Sequence, residues 1–250
     1  MAAQKPLIAG NWKMFGRQGD LGEISALASA IGEAGDSLDV LICPPAPMVP
    51  VAAWRAKETR VIIGAQDCSA VAADAARTGD VSAAMLADAG AKYVIVGHSE
   101  RRTIFGETDA LVRAKAEAAI AAGLVPIVCV GETQAERAAG RVEEVVGRQV
   151  RDSVPTGSAA ACVVAYEPVW AIGGNSTPTL AEIAEVHALI RRTLGAKGAA
   201  DARILYGGSV NPKNAGEIFG APGVDGALVG RASLKASDFS AIILAHPAAS

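Results

Sequence analysis

The sequence predicts an α/β fold, a (β/α)8 barrel in which eight parallel strands are surrounded by helices. Eight short apolar runs rich in β-branched residues recur along the 250-residue chain. Their spacing of about 30 residues is the length of one strand–helix unit of such a barrel. Each run is apolar throughout, which indicates a strand buried on both faces, as in a parallel sheet covered by helices. The predicted strands are Pro6–Gly10, Leu38–Cys43, Arg60–Gly64, Tyr93–Gly97, Val125–Gly131, Cys162–Tyr166, Arg203–Tyr206 and Ala227–Gly230.

Amphipathic segments separate most of the predicted strands. Arg137–Val154 and Ala181–Leu194 place aliphatic residues at helical spacing with charged residues opposite, so we predict one helix over each. A doubly wound sheet is the competing fold, but it needs fewer strands and usually a glycine-rich first turn, whereas Asn11–Lys13 follows the first run. No linker or low-complexity segment divides the chain. The sequence therefore predicts one barrel domain over residues 1–250.

Composition and charge exclude several classes of protein. A chain that is 51% hydrophobic with a formal net charge of −3 is not disordered, and it lacks the basic surface that nucleic-acid binding requires. No apolar stretch reaches the roughly 18 residues of a membrane span, and the first residues do not have the pattern of a secretion signal. The four cysteines form no C-x-x-C motif, which favours reduced thiols over a disulfide scaffold. We expect a cytoplasmic protein with neither nucleic-acid nor membrane partners.

Polar residues follow five of the predicted strands, and chemistry in a barrel gathers at these carboxyl-terminal ends. An imidazole, an amine, carboxylates and glycine-bearing turns suit acid–base chemistry on a small anion held by backbone N–H groups. The sequence contains no His/Cys/Asp cluster for a metal, no P-loop and no G-x-S-x-G motif. The strand-end residues are Asn11 and Lys13, then His98, Ser99 and Glu100, then Glu167, then Gly207, Gly208 and Ser209, and finally Gly230 and Arg231.

Each of these residues also has a structural interpretation. Lys13 could be a solvated surface amine, but it lies two residues after Asn11, which puts both on one side of an extended chain. His98 could be a satisfied structural histidine or could cap a helix, but it is the only histidine at a strand end. Glu167 ends an apolar strand, where a carboxylate is costly without a role. Glu100 could orient Lys13 through an ion pair or be purely structural, and Cys129, in mid-strand, belongs to the core.

Six segments, in order along the whole chain, resemble the triosephosphate isomerase family. The resemblance implies a TIM barrel that interconverts dihydroxyacetone phosphate and D-glyceraldehyde 3-phosphate through an enediol(ate), without cofactor or metal. Glycolysis and gluconeogenesis follow from that reaction. The matching segments are Gly10–Met14 (GNWKM), Gly97–Arg102 (GHSERR), Phe105–Glu107 (FGE), Ala165–Gly173 (AYEPVWAIG), Tyr206–Asn214 (YGGSVNPKN) and Asp225–Gly230 (DGALVG).

The resemblance also implies a role for each site residue. Glu167 matches the catalytic base. His98 matches an electrophile that stays a neutral imidazole at a helix N-terminus, a well-known feature of this family's chemistry. Lys13 matches the residue that offsets the phosphate and enediolate charge, Asn11 a hydrogen-bonding residue, and Glu100 a carboxylate that contacts Lys13. The phosphate is expected to be held by the backbone N–H groups of Gly173, Ser209, Gly230 and Arg231.

Two loops matter for assembly and closure. The resemblance implies a homodimer in which Gln66–Asp80, with Thr78 at its tip, inserts beside the active site of a second copy, although the middle of this loop diverges from the family pattern. It also implies a lid from Pro168 to about Pro178 that closes over the phosphate. Departures from the family pattern occur at Gly174, Asn175 and Ser176 in the lid, and at Arg231, where the family often has glycine. We expect Asn175 to adopt a left-handed backbone in at least one state of the lid.

Three functions fit such a barrel. The first is the isomerase. The second is a non-catalytic barrel that binds a sugar phosphate, and the third is an enzyme of another reaction type with the same phosphate site. The presence of Asn11, Lys13, His98 and Glu167 together favours the isomerase, because binding alone needs no base and another reaction would place other side chains at these strand ends.

Overall fold

Eight parallel strands close into a barrel in the computed structural model, which describes residues 4–172 and 177–249. Each strand pairs in parallel with its neighbours in chain order, and the first strand also pairs with the eighth, which closes the ring. The predicted fold class is confirmed, and every predicted strand agrees within one residue at either end. The strands are β1 (Leu7–Asn11), β2 (Asp39–Cys43), β3 (Val61–Ala65), β4 (Tyr93–Val96), β5 (Val125–Val130), β6 (Val163–Tyr166), β7 (Ile204–Tyr206) and β8 (Gly226–Val229).

Helices surround this barrel and fill the gaps between successive strands. No helix in residues 4–172 or 177–249 combines the length and apolarity needed to cross a bilayer. The helices are α1 (Gly22–Ile31), α2 (Val49–Ala56), α3 (Ala83–Asp88), α4 (Ser99–Phe105), α5 (Asp109–Ala121), α6 (Gln134–Ala138), α7 (Val142–Ser153), α8 (Leu180–Gly195), α9 (Ala215–Phe219) and α10 (Ala236–Leu244).

The helix predicted over Arg137–Val154 is two helices, so that prediction is wrong at its start. A capping box at Thr133, which exchanges hydrogen bonds with Glu136, begins α6 earlier than predicted. The chain then breaks at Gly140, whose φ of 69° lies in the left-handed region, before α7 begins. The predicted helix over Ala181–Leu194 is confirmed as α8, which begins with a capping box of its own.

The apolar core has two layers because successive side chains of each strand point to opposite faces. Twelve buried side chains, including Leu41, Ile95 and Ile127, fill the inside of the barrel. The alternate residues, such as Val40, Val94 and Val128, face outward and pack beneath the helices in a larger cluster. Burying one such aliphatic side chain stabilises the fold by about 1.5–3 kcal/mol. Cys129 lies in the inner layer, which confirms the prediction that it is a core residue.

His187, on the inner face of α8, is fully buried and confers a pH dependence on stability. Its Nδ1 lies 2.9 Å from the Gly223 carbonyl and therefore carries the proton of a neutral ring, while burial, partly opposed by that hydrogen bond and by Asp225, lowers its pKa from 6.5 to about 4. The unfolded state then binds more protons than the folded state between these values. The contribution of His187 to the free energy of unfolding is fully present above pH 6.5. It is lost as the pH falls towards 4, which lowers the free energy of unfolding by about 3 kcal/mol.

We expect His187→Gln to flatten the stability profile between pH 6.5 and 4, because glutamine keeps an N–H donor for the Gly223 carbonyl but does not titrate. The measurement is the free energy of unfolding in urea at a series of pH values. His246→Gln is the matched control, because His246 is less deeply buried and its pKa is lowered less. Identical slopes for wild type and His187→Gln would contradict this account.

Candidate active site

The carboxyl-terminal ends of β1, β4 and β6 bring three predicted site residues together. Asn11 ends β1, His98 follows β4 and Glu167 follows β6, and all three are buried. Asn11 and His98 line a groove of about 960 Å³ together with Lys13, Glu100 and other residues. Glu167 lines a separate cleft of about 160 Å³, together with Ser99 and Arg102.

Glu167 is held by two hydrogen bonds. Its Oε1 lies 2.8 Å from His98 Nε2, and its Oε2 accepts the backbone N–H of Ser99 at 2.8 Å. Glycines make room for this arrangement, because a Cβ at Gly131 would lie 1.7 Å from the Glu167 carbonyl oxygen and one at Gly207 would lie 2.9 Å from the Glu167 Cγ. The carboxylate therefore sits in a fixed, nearly water-free position.

His98 is the N-cap of α4, as the helix-cap interpretation predicted, and it also contacts Glu167. Its Nδ1 accepts the backbone N–H of Glu100 at 3.2 Å, which favours a neutral ring with the proton on Nε2. Nε2 then donates to Glu167. The helix N-terminus also disfavours an imidazolium. The helix-cap interpretation of His98 is therefore confirmed, and its functional interpretation stays a prediction.

Burial and charge act in opposite directions on the Glu167–His98 pair. Burial alone would raise the pKa of Glu167, but His98, the Ser99 N–H and Lys13 outweigh it and lower that pKa. Burial alone would lower the pKa of His98, but the Glu167 carboxylate outweighs it and raises that pKa. This upward shift of the His98 pKa opposes the neutral imidazole expected from the family resemblance. Its main cause is the contact with Glu167, and Glu100 adds to it.

Lys13 reaches the groove by a different backbone path from the one predicted. The extended chain ends at Asn11, and Lys13 has a φ of 52°, the only positive φ of a non-glycine residue in the described ranges. The argument from an extended chain is therefore wrong, although both side chains line the groove. The Lys13 N–H donates to Asn11 Oδ1 at 2.9 Å, and Nζ lies 2.6 Å from Glu100 Oε1. Of the two interpretations of Glu100, the ion pair with Lys13 is the one observed.

Three of the four residues predicted to hold phosphate, Ser209, Gly230 and Arg231, follow β7 and β8. Ser209 is half-buried, and its carbonyl accepts a hydrogen bond from Asn214. Gly230 is close to Lys13, since a Cβ at Gly230 would lie 3.6 Å from Lys13 Cε. Arg231 is exposed and lines the same groove as Lys13. The described residues do not include Gly173, Gly174, Asn175 and Ser176. The prediction for the Asn175 backbone therefore concerns a residue outside the described ranges.

Sequence reasoning missed Glu132, a fully buried carboxylate after β5. Its Oε1 accepts hydrogen bonds from Tyr166 Oη at 3.1 Å, Trp170 Nε1 at 2.9 Å and Arg137 Nη1 at 3.1 Å. Trp170 belongs to the first turn of the predicted lid, so Glu132 ties this turn to the barrel. The available signal was its position, because Glu132 is a polar residue directly after an apolar strand.

A second buried network lies at the root of the Gln66–Asp80 loop. Lys115 Nζ lies 2.7 Å from Asp67 Oδ1 and 2.5 Å from Glu107 Oε1. Arg101 contacts the same two carboxylates, at 2.9 Å and 2.6 Å. The network links this loop to α4, the helix that begins directly after His98.

The fold and these residues define a (β/α)8-barrel enzyme of the acid–base type. Among the described residues, no group of three or more His, Cys, Asp or Glu side chains is arranged to hold a metal ion. The family model described as triosephosphate isomerase matches residues 6–246.

Named relatives agree with this match. The chain is 60% identical over 247 residues to a triosephosphate isomerase of Afipia carboxidovorans, covering 97% of this chain and 98% of that one. It is 58% identical over 245 residues to one of a Ruegeria species, covering 96% and 98%. A crystal structure of triosephosphate isomerase from Bartonella henselae superposes with a TM-score of 0.89 at 45% identity, covering 97% of this chain and 99% of that one. The chain belongs to the triosephosphate isomerase family.

Proposed function

We propose that this chain interconverts dihydroxyacetone phosphate and D-glyceraldehyde 3-phosphate by proton transfer through an enediol(ate). The observation that carries the proposal is the buried Glu167 carboxylate 2.8 Å from His98, next to the Lys13 groove, in a chain of this family. A base, a proton donor and a cation at one end of a barrel are the groups that this reaction requires.

Glu167 is the proposed base. Because both of its oxygens are occupied, by His98 and by the Ser99 N–H, a bound substrate has to replace at least one of these contacts before the carboxylate takes a proton from carbon. A lowered pKa keeps Glu167 ionised and ready to accept that proton near neutral pH. The same carboxylate returns the proton to the neighbouring carbon, while His98 gives its Nε2 proton to the carbonyl oxygen and takes the hydroxyl proton from the adjacent oxygen. The isomerisation then leaves no net change in the enzyme.

His98 is the proposed donor to the substrate oxygen. Its Nε2 proton points to Glu167 here, and a substrate oxygen that takes the place of that carboxylate receives the same hydrogen bond. Removing the contact with Glu167 removes the main cause of the raised His98 pKa. The Glu100 N–H at Nδ1 and the N-terminus of α4 then favour the neutral ring.

Lys13 and Asn11 are proposed to meet the anionic end of the substrate. Lys13 Nζ is held by Glu100, a half-exposed residue, so the ammonium group stays at the mouth of the groove. Gly230 is next to it, and Ser209, Arg231 and Gly173 complete the proposed phosphate site through their backbone N–H groups. The segment from Pro168 to about Pro178 is the proposed lid, which would exclude water from the enediol(ate).

The two alternatives are less favoured. A barrel that only binds a sugar phosphate would not need the fully buried Glu167, whose desolvation is costly. An enzyme of another reaction type would not be expected to keep Asn11, Lys13, His98 and Glu167 together.

A coupled assay that supplies each triose phosphate in turn tests the proposal. The isomerase converts both compounds, with a rate that scales with enzyme concentration. Saturable binding of a triose phosphate without turnover would support the binding barrel. Turnover of another phosphorylated compound, with neither triose phosphate converted, would support the third function.

We further propose that the protein forms a homodimer through the Gln66–Asp80 loop of each copy. We also propose that it is cytoplasmic. Large apolar side chains are exposed around the groove, namely Met14 (94%), Phe15 (48%), Ile104 (70%) and Phe105 (65%). Exposed apolar patches of this kind mark protein–protein contact sites. The buried state of all four cysteines, each a free thiol, is compatible with a reducing compartment.

We expect Thr78→Arg to give a monomer with much lower isomerase activity. Thr78 is exposed near the tip of the loop, and a charged, longer side chain would be desolvated in the proposed interface. Sedimentation velocity gives the oligomeric state, and the coupled assay gives the activity of the same sample. Ala30→Arg, at an exposed position on α1, is a control for the added charge. A fully active monomer would show that the site does not depend on assembly.

A further inference from the structure

Arg102, on α4, reaches the ends of two barrel strands from behind the proposed active site. Its Nε donates to the Gly97 carbonyl at 3.0 Å, directly before His98. Its Nη2 donates to the Cys129 carbonyl at 3.2 Å, near the end of β5. The side chain is only 15% exposed, so these carbonyls have little water to compete for them.

The backbone of Arg102 holds the other side of the same histidine. Its N–H donates to the His98 carbonyl at 3.0 Å in the first turn of α4. One residue therefore binds the carbonyls of both Gly97 and His98, the peptide groups that determine where the imidazole points. Gly97 has a φ of 66°, and a Cβ there would lie 2.6 Å from Val112, so the turn is tightly confined.

The guanidinium is itself held in place. Nη1 donates to Asp109 Oδ1 at 2.6 Å, and Nη2 also donates to Ser153 Oγ at 3.0 Å. Ser153 is fully buried on α7 and donates to the same Asp109 oxygen at 3.1 Å. The Asp109 carboxylate balances the charge of Arg102, so the guanidinium acts here as a rigid fork of donors.

Arg102 also lies close to Glu167, the proposed base. The 160 Å³ cleft that Glu167 lines is lined by Arg102 and Cys129 as well. Next along β5, the Val130 carbonyl accepts the Glu167 N–H at 2.7 Å. A shift of the end of β5 would therefore move the backbone of the proposed base.

We propose that Arg102 is a positioning residue that fixes the ends of β4 and β5 and so sets the relative geometry of His98 and Glu167. This inference rests on the proposed isomerase function and assigns no direct contact with substrate to Arg102. A lysine at this position keeps the charge but offers a single nitrogen, which does not reproduce the three-pronged contact with Gly97, Cys129 and Asp109.

The test compares Arg102→Lys with Arg113→Lys in the coupled assay. We expect Arg102→Lys to lower kcat by about 10- to 100-fold, since small misplacements of reacting groups have effects of that size. KM should be nearly unchanged, because the proposed phosphate site lies at the ends of other strands. Arg113 is half-exposed and pairs with Glu117 on the surface of α5, so Arg113→Lys should behave as wild type.

Two further measurements separate positioning from loss of stability. Arg102→Ala should regain part of its kcat when millimolar guanidinium is added, and Arg113→Ala should not respond. Ser153→Ala removes one support of the guanidinium and should lower kcat several-fold at unchanged KM. If Arg102→Lys does not fold, the kcat of Ser153→Ala decides, and an unchanged value overturns the proposal.

The activity of the wild-type enzyme distinguishes a failure of the proposed isomerase function from a failure of the positioning role of Arg102. Wild type without isomerase activity would overturn both the proposed function and this inference. An active wild type with an Arg102→Lys variant of equal kcat would overturn the positioning role alone. A fall in stability of Arg102→Lys with kcat unchanged at a temperature where it is folded would do the same.

Discussion

Replacing Glu167 with Gln is expected to lower kcat by about 10²–10⁴-fold, the contribution typical of a general acid–base group. The carboxamide has the shape of the carboxylate, and its oxygen still accepts the Ser99 N–H, so the fold and the affinity for a phosphate-bearing inhibitor should persist. What is lost is the ability to accept a proton from carbon. The coupled assay gives kcat, and inhibitor titration gives the binding affinity of the same preparation.

Glu117→Gln is the matched control for this change. Glu117 is a half-exposed carboxylate on α5 that pairs with Arg113, so the same substitution there should leave both kcat and the inhibitor affinity unchanged. A Glu167→Gln enzyme with near-normal turnover would show that another group takes the proton. A variant that loses inhibitor affinity as well would instead assign Glu167 to binding.

The second large effect is expected for Lys13→Met, which should lower kcat/KM by about 10²–10³-fold, the size found when one preorganised charge or donor is removed from such a site. Both kcat and KM should change, because the ammonium acts on the phosphate of the bound substrate and on the charge that develops later. Methionine at a φ of 52° is strained like lysine, so the backbone contribution cancels.

Lys13→Met also leaves the Glu100 carboxylate without its cation. A second variant separates this effect from the loss of the lysine itself. In Lys13→Met/Glu100→Gln the unpaired carboxylate is gone, so any recovery relative to the single variant measures repulsion of the substrate by Glu100. Lys57→Met, at an exposed position after α2, controls for the loss of one positive charge from the whole protein. Normal affinity of Lys13→Met for a phosphate-bearing inhibitor would contradict the proposed role.

The fold was predictable because its signals are local. A strand buried on both faces is a continuous apolar run, and Gly or polar residues mark its ends, so all eight strands could be placed from Leu7 to Val229. The break between α6 and α7 was missed because the alanine-rich stretch around Gly140 favours helix throughout. Gly140, a residue type common just after a helix C-terminus, is the signal for the break, and the Thr133–Glu136 capping box is the signal for the start of α6.

The candidate site was predictable where a side chain directly follows a strand. His98 and Glu167 meet because the barrel brings the ends of β4 and β6 to one face, and this topology follows from the repeat. The positive φ of Lys13 could not be predicted, because nothing in a lysine favours it. The contacts of Glu132 and Arg102 were also beyond reach, because they join residues up to 51 positions apart.

The backbone of Lys13 sets a cost in stability against the role proposed for its side chain. A non-glycine residue in the left-handed region costs about 1–2 kcal/mol, and glycine at the same place avoids that cost. A library of variants screened only for heat resistance should therefore enrich glycine or asparagine at position 13, while a screen for growth dependent on the enzyme should retain lysine. Selection for heat resistance and selection for enzyme function would therefore favour different residues at position 13.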